Sequence, residues 1–347
     1  MKRVSELIRE RPILSFFVIV FVITWGLGFS YNAVLNRDTV ILIPLVSIAT
    51  CGPAIAGIII ARVTAGRQKV GRRKSQWIAF AVALILGTAV FTINNLVVEQ
   101  NEISIGTVAA IAVLFVSPVA WVISTAFARR AALRNYLTTL MRVRGVFWWC
   151  VVAAALLPVL VLLSVVMQSV IDGYPLRQPE NGVVGMSVIG TIVAKFVYQL
   201  FFFNVVGEEI GWSGFARARL QKRFSPLLTG LIVALFWAPW HLFLWHAEGE
   251  QIATIGFWFN AYLTVVPISI LIGWLYNRSK GSILVAGIAH AAGNTAIALI
   301  PNVSLRAASA VTAVATVIVI IVDRMWKKLP QDQNSGVGNS KRFSRES

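Results

Sequence analysis

The chain predicts an all-α fold, a polytopic membrane helix bundle of about ten transmembrane helices. Three observations carry that expectation. Of 347 residues, 57% are hydrophobic and only 13% charged, with a mean hydropathy of +0.76, more apolar surface than a soluble domain of this size needs. The apolar residues fall in windows of about 18–23 residues, the length of helix that crosses a hydrocarbon core. The basic residues recur at every second connection between those windows.

Read in order, the spans are Ile13–Leu35, Val40–Ala61, Trp77–Val98, Ile105–Phe127, Val146–Ile171, Val183–Val206, Pro226–Trp245, Ile255–Tyr276, Ser282–Ile300 and Ala307–Val322. Lys2, Arg3, Arg9 and Arg11 precede the first. Arg62, Arg67, Lys69, Arg72, Arg73 and Lys74 follow the second, and Arg129, Arg130, Arg134, Arg142 and Arg144 the fourth. Arg217, Arg219, Lys222 and Arg223 follow the sixth, Arg278 and Lys280 the eighth, and Arg324, Lys327 and Lys328 the tenth. The alternate connections are nearly neutral or acidic: Glu99 and Glu102, then Asp172 with Arg177 and Glu180, then Glu248 and Glu250. This is the positive-inside pattern, with both termini cytoplasmic. It explains the net charge of +17 by a basic face toward anionic membrane lipids, and it removes the argument for nucleic acid as a partner.

The basic N-terminus lacks a small-residue cleavage site after its apolar run, so the first helix reads as retained. Cys51 and Cys150 lie within apolar spans and read as buried thiols. Pro53, Pro118, Pro158, Pro239 and Pro267 fall within or near helix interiors, where prolines bend helices and neighbours re-satisfy the freed backbone. Trp77, Trp148, Trp149, Trp245, Tyr276 and Trp326 lie near span ends, as interfacial anchors do. Lys195, within span six, reads as a snorkelling side chain, and Asn94 and Asn95 as interfacial. From Leu329 onward the sequence is polar and aperiodic, a disordered cytoplasmic tail. Residues 1–182 thus form N-terminal helices without catalytic motifs, 183–300 the motif-bearing part, 301–328 the last helix and 329–347 the tail.

The chemistry concentrates around Glu208-Glu209, adjacent carboxylates just beyond the run from Phe196 to Phe203. Charge beside a membrane-grade segment is costly unless partnered or hydrated, so such residues mark a functional site by default. On a continuing helix the two are about 100° apart, so one would face a cavity while the other faces a partner. Gly207, Gly211 and Gly214 would share one face and admit a close neighbour. The bland alternative makes both glutamates solvated residues at a helix end. Their company argues against it: His241 follows Phe236-Trp237-Ala238-Pro239-Trp240, and His290 and Asn294 lie at i and i+4 on one face of an apolar helix. His246, beside Glu248, reads as interfacial.

In that order the motifs resemble the CPBP family (CAAX prenyl endopeptidase and bacteriocin-processing, also called ABI) of intramembrane glutamic proteases. Glu208-Glu209 with Gly211-Trp212 and Gly214-Phe215 match its first motif, Trp237 and His241 its second, and His290 and Asn294 its third. The resemblance spans roughly Val183–Ile300. It implies a CAAX-protease-like core of eight helices, to which spans three and four are an addition. One position departs: the family's arginine, at i+4 from the second glutamate, is Ser213 here. A serine hydroxyl can hydrogen-bond Glu209 but supplies no charge, and Arg217 lies two turns further on, within reach of a long side chain.

The resemblance implies Glu208 as general base toward a water attacking a peptide bond, with His241 polarising that water or stabilising charge. It further implies His290 and Asn294 as donors to the developing oxyanion, with Glu209, Trp237, Ser213 and Arg217 supporting. Substrates would be membrane-associated or prenylated peptides, and partners the lipids and the substrate. No Ser or Cys is paired with a base as a nucleophile. A Glu–His–His set is chemically able to bind zinc, but His-Glu-x-x-His spacing is missing, and neither metal nor cofactor is expected. Two rival readings stay open. One is a non-proteolytic protease-fold scaffold or bacteriocin self-immunity protein, favoured by Ser213. The other is a secondary transporter, disfavoured because the polar residues cluster in one half. A geometric condition attaches to the shared site. Helix six must continue through Glu208-Glu209 within the membrane, and helix seven must start later or kink at Pro239.

Overall fold

The computed structural model describes residues 2–34, 43–64, 72–99, 102–137, 145–173, 187–300 and 303–330. These form fourteen helical segments: α1 (Lys2–Glu10), α2 (Pro12–Val34), α3 (Ile43–Thr50), α4 (Gly52–Thr64), α5 (Arg73–Ile93), α6 (Ile105–Ser124), α7 (Ala131–Leu137) and α8 (Phe147–Asp172), then α9 (Val188–Leu220), α10 (Pro226–Trp240), α11 (Leu242–Ala247), α12 (Ile255–Arg278), α13 (Ile283–Leu299) and α14 (Leu305–Val322). The fold is an all-α membrane bundle. Among the described residues eight helices are long and apolar enough to cross a membrane, nine when the pair bent by 67° at residues 50–52 counts as one span. Each expected span coincides with one of these elements. The expected span Ser282–Ile300 corresponds to α13, which has 17 residues and falls outside both counts. The tail beyond Pro330, the boundary at residue 183, and Arg67, Lys69, Arg142, Arg144, Arg177 and Glu180 lie outside the described residues.

The bend between α3 and α4 follows from Gly52-Pro53. Pro53 has no N–H for the carbonyl four residues back, Ala49. Thr24 Oγ1 of α2 donates to that carbonyl at 2.8 Å, and Trp240 Nε1 of α10 donates to Thr24 Oγ1 at 2.8 Å. Pro239 poses the same problem for Leu235, whose carbonyl accepts from the Tyr262 hydroxyl of α12 at 3.2 Å. Neighbouring helices thus satisfy backbone groups that hydrocarbon would leave unpaired, the arrangement prolines require inside a membrane.

Span six departs most from expectation. Hydropathy places it at Val183–Val206, yet α9 runs 33 residues, Val188–Leu220, because Trp212, Phe215 and Ala216 keep the stretch after the glutamates apolar and buried. Much of it is wound as π-helix, over Leu200–Glu209 and Trp212–Arg217, a local widening that recurs at functional sites. The wide turns also change the glycine face. A Cβ on Gly207 would stand 2.9 Å from the Thr50 carbonyl, and one on Gly211 2.4 Å from Pro53, so these two seat the bent pair. Gly214 instead points at Ile283 of α13, not at the same neighbour.

Around α9 pack α3, α4, α6 and α13; α13 also packs on α8, α10 on α12, and α12 on α14. Lys195 does not simply snorkel: it pairs with Glu99, which caps the π-helical turn Asn94–Val98 that follows α5. Asn94 is buried rather than interfacial, its amide 3.5 Å from that carboxylate. On the opposite end Arg278 and Trp274 both donate to Asp323. Trp77, Trp148 and Trp326 are exposed as interfacial anchors should be, while Tyr276 is buried at 4% exposure.

Candidate active site

Three helices bring the motifs together. Helix α9 continues past Glu208-Glu209, both buried in the bundle, to Leu220, and the α-helical run of α10 ends at Trp240, with His241 between α10 and α11.

Trp237 Nε1 of α10 donates to Glu208 Oε2 at 2.6 Å. His290 of α13 stands between the two carboxylates, Nδ1 3.2 Å from Glu209 Oε1 and Nε2 3.9 Å from Glu208 Oε1. Ser213 Oγ donates to the other Glu209 oxygen. Glu208, Glu209 and His290 are 5%, 1% and 5% exposed, so each carboxylate charge depends on these few donors. The adjacent glutamates thus share His290 but differ in their second partner, Trp237 for Glu208 and Ser213 for Glu209.

His241 Nδ1 faces the Trp237 carbonyl at 2.9 Å. That contact assigns the ring proton to Nδ1 in neutral imidazole and leaves Nε2 an acceptor. The ring is sandwiched, stacked on Trp245 with centroids 5.2 Å apart and edge-on to Trp240 at 4.8 Å. Trp237, His241, His290 and Asn294 line a cavity of about 180 Å³ together with Trp245 and Ser309. Asn294 makes no hydrogen bond within the described residues, so its amide is free toward that space. Glu208 is not among the lining residues, although Trp237 and His290, which both contact it, are.

Arg217 does not take the place of the missing arginine. Among the described residues it makes no ion pair with Glu209. Its guanidinium turns to α12, donating to the Ser269 carbonyl at 3.0 Å and lying against Gly273, while its Nε and Nη1 are without hydrogen-bond partners. The π winding of α9 turns it away from the direction an α-helical spacing implied. The sequence reads Trp245 only as an anchor, although its place four residues after His241 is a usable signal. Ser269, Thr264 and Ser309 carry none, since their proximity depends on how α12 and α14 pack. Among the described residues no group of three or more His, Cys, Asp or Glu is disposed to hold a metal ion.

The fold and this constellation define a polytopic membrane protein with a buried carboxylate–histidine site. Residues 190–296 match the family described as Type II CAAX prenyl endopeptidase Rce1-like. CAAX prenyl protease 2 of Methanococcus maripaludis is 28% identical over 142 residues, 39% of this chain and 50% of that protein, so the chain spans about half the length of this curated relative. This matched segment holds the motifs by which the chain resembles the CPBP family.

Proposed function

We propose that this protein is an intramembrane glutamic-type endopeptidase that hydrolyses membrane-associated peptides, prenylated ones among them. The observation that carries the reading is that Trp237, His241, His290 and Asn294 line one cavity, while Glu208, from a third helix, contacts two of them, Trp237 and His290. The family match and the name of the relative support it.

In the reaction we envisage, a water reaches Glu208 past the rings of Trp237 and His290. Glu208 takes its proton as the oxygen attacks the peptide carbonyl, and His241 Nε2 accepts the second water hydrogen and so aims the lone pair. The carbonyl oxygen gains charge as the new C–O bond forms, and the free Asn294 amide donates to it, an interaction of a kind worth about 3 kcal/mol in a dry site. The C–N bond then breaks, and Glu208 returns its proton to the leaving amine. His290 acts here between the carboxylates rather than on the oxyanion: its Nδ1 holds Glu209 and its Nε2 faces Glu208. Glu209 and Ser213 fix that ring. Arg217 is a positioning residue, a buried cation that offsets the carboxylate pair at longer range. We place the protein in the cell membrane, basic loops and both termini cytoplasmic.

The test is cleavage of candidate membrane peptides by wild type and by Glu208→Gln in proteoliposomes. Loss of hydrolysis in the variant, with the fold retained, supports the reading. Equal cellular phenotypes of wild type and Glu208→Gln, with no cleavage by either, would replace it with a scaffold or immunity role. Ser213 in place of arginine is the feature that favours that alternative.

A further inference from the structure

Asn204 is completely buried in α9, and neither its amide oxygen nor its amide nitrogen has a hydrogen-bond partner among the described residues. Exchanging the two atoms changes nothing, since both are unpaired. Its neighbours Phe202, Val205 and Val206 are apolar and buried as well. An amide stripped of solvent in such a place bears its full desolvation penalty, which is why buried polar groups are ordinarily satisfied by the protein or by ordered water.

The place of Asn204 on the helix says what it serves. It lies four residues before Glu208, and Trp212 lies four residues after it, so the three are neighbours along one face of α9. Helical side chains lean toward the N-terminal end of their helix. Glu208 therefore reaches back toward the level of Asn204, and Trp212 toward that of Glu208. Trp212 repeats the anomaly: its indole N–H acts on the Glu208 carboxylate, yet it has no hydrogen-bond partner although the residue is 1% exposed. The carboxylate is itself half open. Oε2 takes the Trp237 N–H at 2.6 Å, whereas Oε1 has His290 Nε2 at 3.9 Å, beyond hydrogen-bond distance. Unpaired donors on Asn204 and Trp212, and an unpaired acceptor on Asn204, thus flank a carboxylate oxygen that lacks a donor.

We infer that α9 carries a hydration site, in which ordered water joins the Asn204 amide and the Trp212 indole N–H to Glu208 Oε1. Water suits this set because it both donates and accepts, and a buried water ordinarily takes about three polar partners. It accepts from the amide or indole N–H and donates to the carboxylate and to the amide oxygen. This is not the water that is split. Oε1 has two lone pairs, one for the resident water and one for the proton taken from the attacking water. Asn204 and Trp212 are positioning residues: through water they favour the carboxylate form of Glu208 and fix the direction of Oε1. The inference rests on the peptidase reading for the role of Glu208 as base, whereas the hydration site does not need it.

The direct measurement is a structure of the full chain in lipid nanodiscs, at a resolution that shows ordered water. Density within hydrogen-bond distance of both the Asn204 amide and a Glu208 oxygen is the expected result. An amide bonded to protein groups alone, or enclosed by apolar contacts without water, overturns the inference. A second arm measures peptide cleavage in proteoliposomes by Asn204→Leu, Asn204→Thr and Trp212→Phe. Leucine is close to asparagine in shape and lacks both polar atoms. Its kcat should fall about tenfold at unchanged KM, and the acidic limb of its pH–rate profile should move up by about one unit, because the carboxylate loses a donor. The other titratable groups acting on Glu208, Glu209 on its own helix and His290 of α13, stay in place in these variants. Trp212→Phe should shift the same limb, and Asn204→Thr, which keeps a hydroxyl for the water, should lie between Asn204→Leu and wild type. A wild-type pH profile for Asn204→Leu overturns the inference, as does a higher Tm at wild-type kcat, the signature of an amide with no partner to lose. If wild type cleaves no peptide, the peptidase reading fails, while the water density still decides the hydration site.

Discussion

Trp237 and Glu208 are joined across two helices by an indole N–H donating to carboxylate Oε2 at 2.6 Å. A tryptophan four residues before a histidine would pass as an aromatic anchor. Here its polar edge is a first partner of the proposed base, and its carbonyl holds His241 Nδ1, so one residue sets the geometry of two others.

Trp237→Phe keeps the ring and removes that donor. A hydrogen bond to a charged group is worth about 1.5–3 kcal/mol, so kcat should fall by about 10- to 100-fold. The helical circular-dichroism signal and detergent melting profile should stay close to wild type. An unchanged kcat would detach Trp237 from the reaction.

Arg217→Met separates charge from packing. The side chain is 1% exposed and anchored to Ser269, so an apolar chain of similar length preserves most contacts. If the guanidinium offsets the carboxylate pair, kcat should drop by about tenfold while Tm moves only a few degrees. A wild-type kcat would show that Arg217 serves packing alone.

The Tyr262 hydroxyl matters because Pro239 leaves the Leu235 carbonyl without its usual donor. Tyr262→Phe should destabilise by about 0.5–1.5 kcal/mol. In a Pro239→Ala background the introduced alanine brings its own N–H to Leu235, and the Tyr262→Phe penalty should shrink toward zero. A double-mutant cycle by thermal unfolding reads the difference. An equal penalty in both backgrounds would mean that the hydroxyl does not replace the missing donor.

Glu248 lies outside the spans, where burial first and the neighbouring Glu250 second hold its carboxyl above the ordinary carboxylate range. A raised folded-state pKa means the folded chain binds the proton more tightly than the unfolded one. Its stability contribution is complete below the unfolded value and is lost as pH rises through the folded value. Glu248→Gln should therefore melt above wild type at about pH 8, and the gap should close at about pH 4. A gap that is the same at both values would remove the titration from this account.

Much of this was legible in the chain. Hydropathy windows located every span because hydrocarbon penalises polar surface residue by residue, a local property. The order of Glu208-Glu209, Trp237, His241, His290 and Asn294 named the site residues, because few polar groups are tolerated in such helices. Tertiary packing decided the rest. Hydropathy misplaces the end of α9 since its last turns hide Arg217 against Gly273 and Ser269 of α12, and a buried arginine counts there as a terminus. The direction Arg217 takes is fixed by tertiary contacts, its guanidinium lying against Gly273 and donating to Ser269 of α12, rather than by composition. That Trp237, His241, His290 and Asn294 line one cavity while Glu208 does not is set by how α9, α10 and α13 pack together. Those contacts join residues far apart in sequence, and no periodicity along a single helix encodes them.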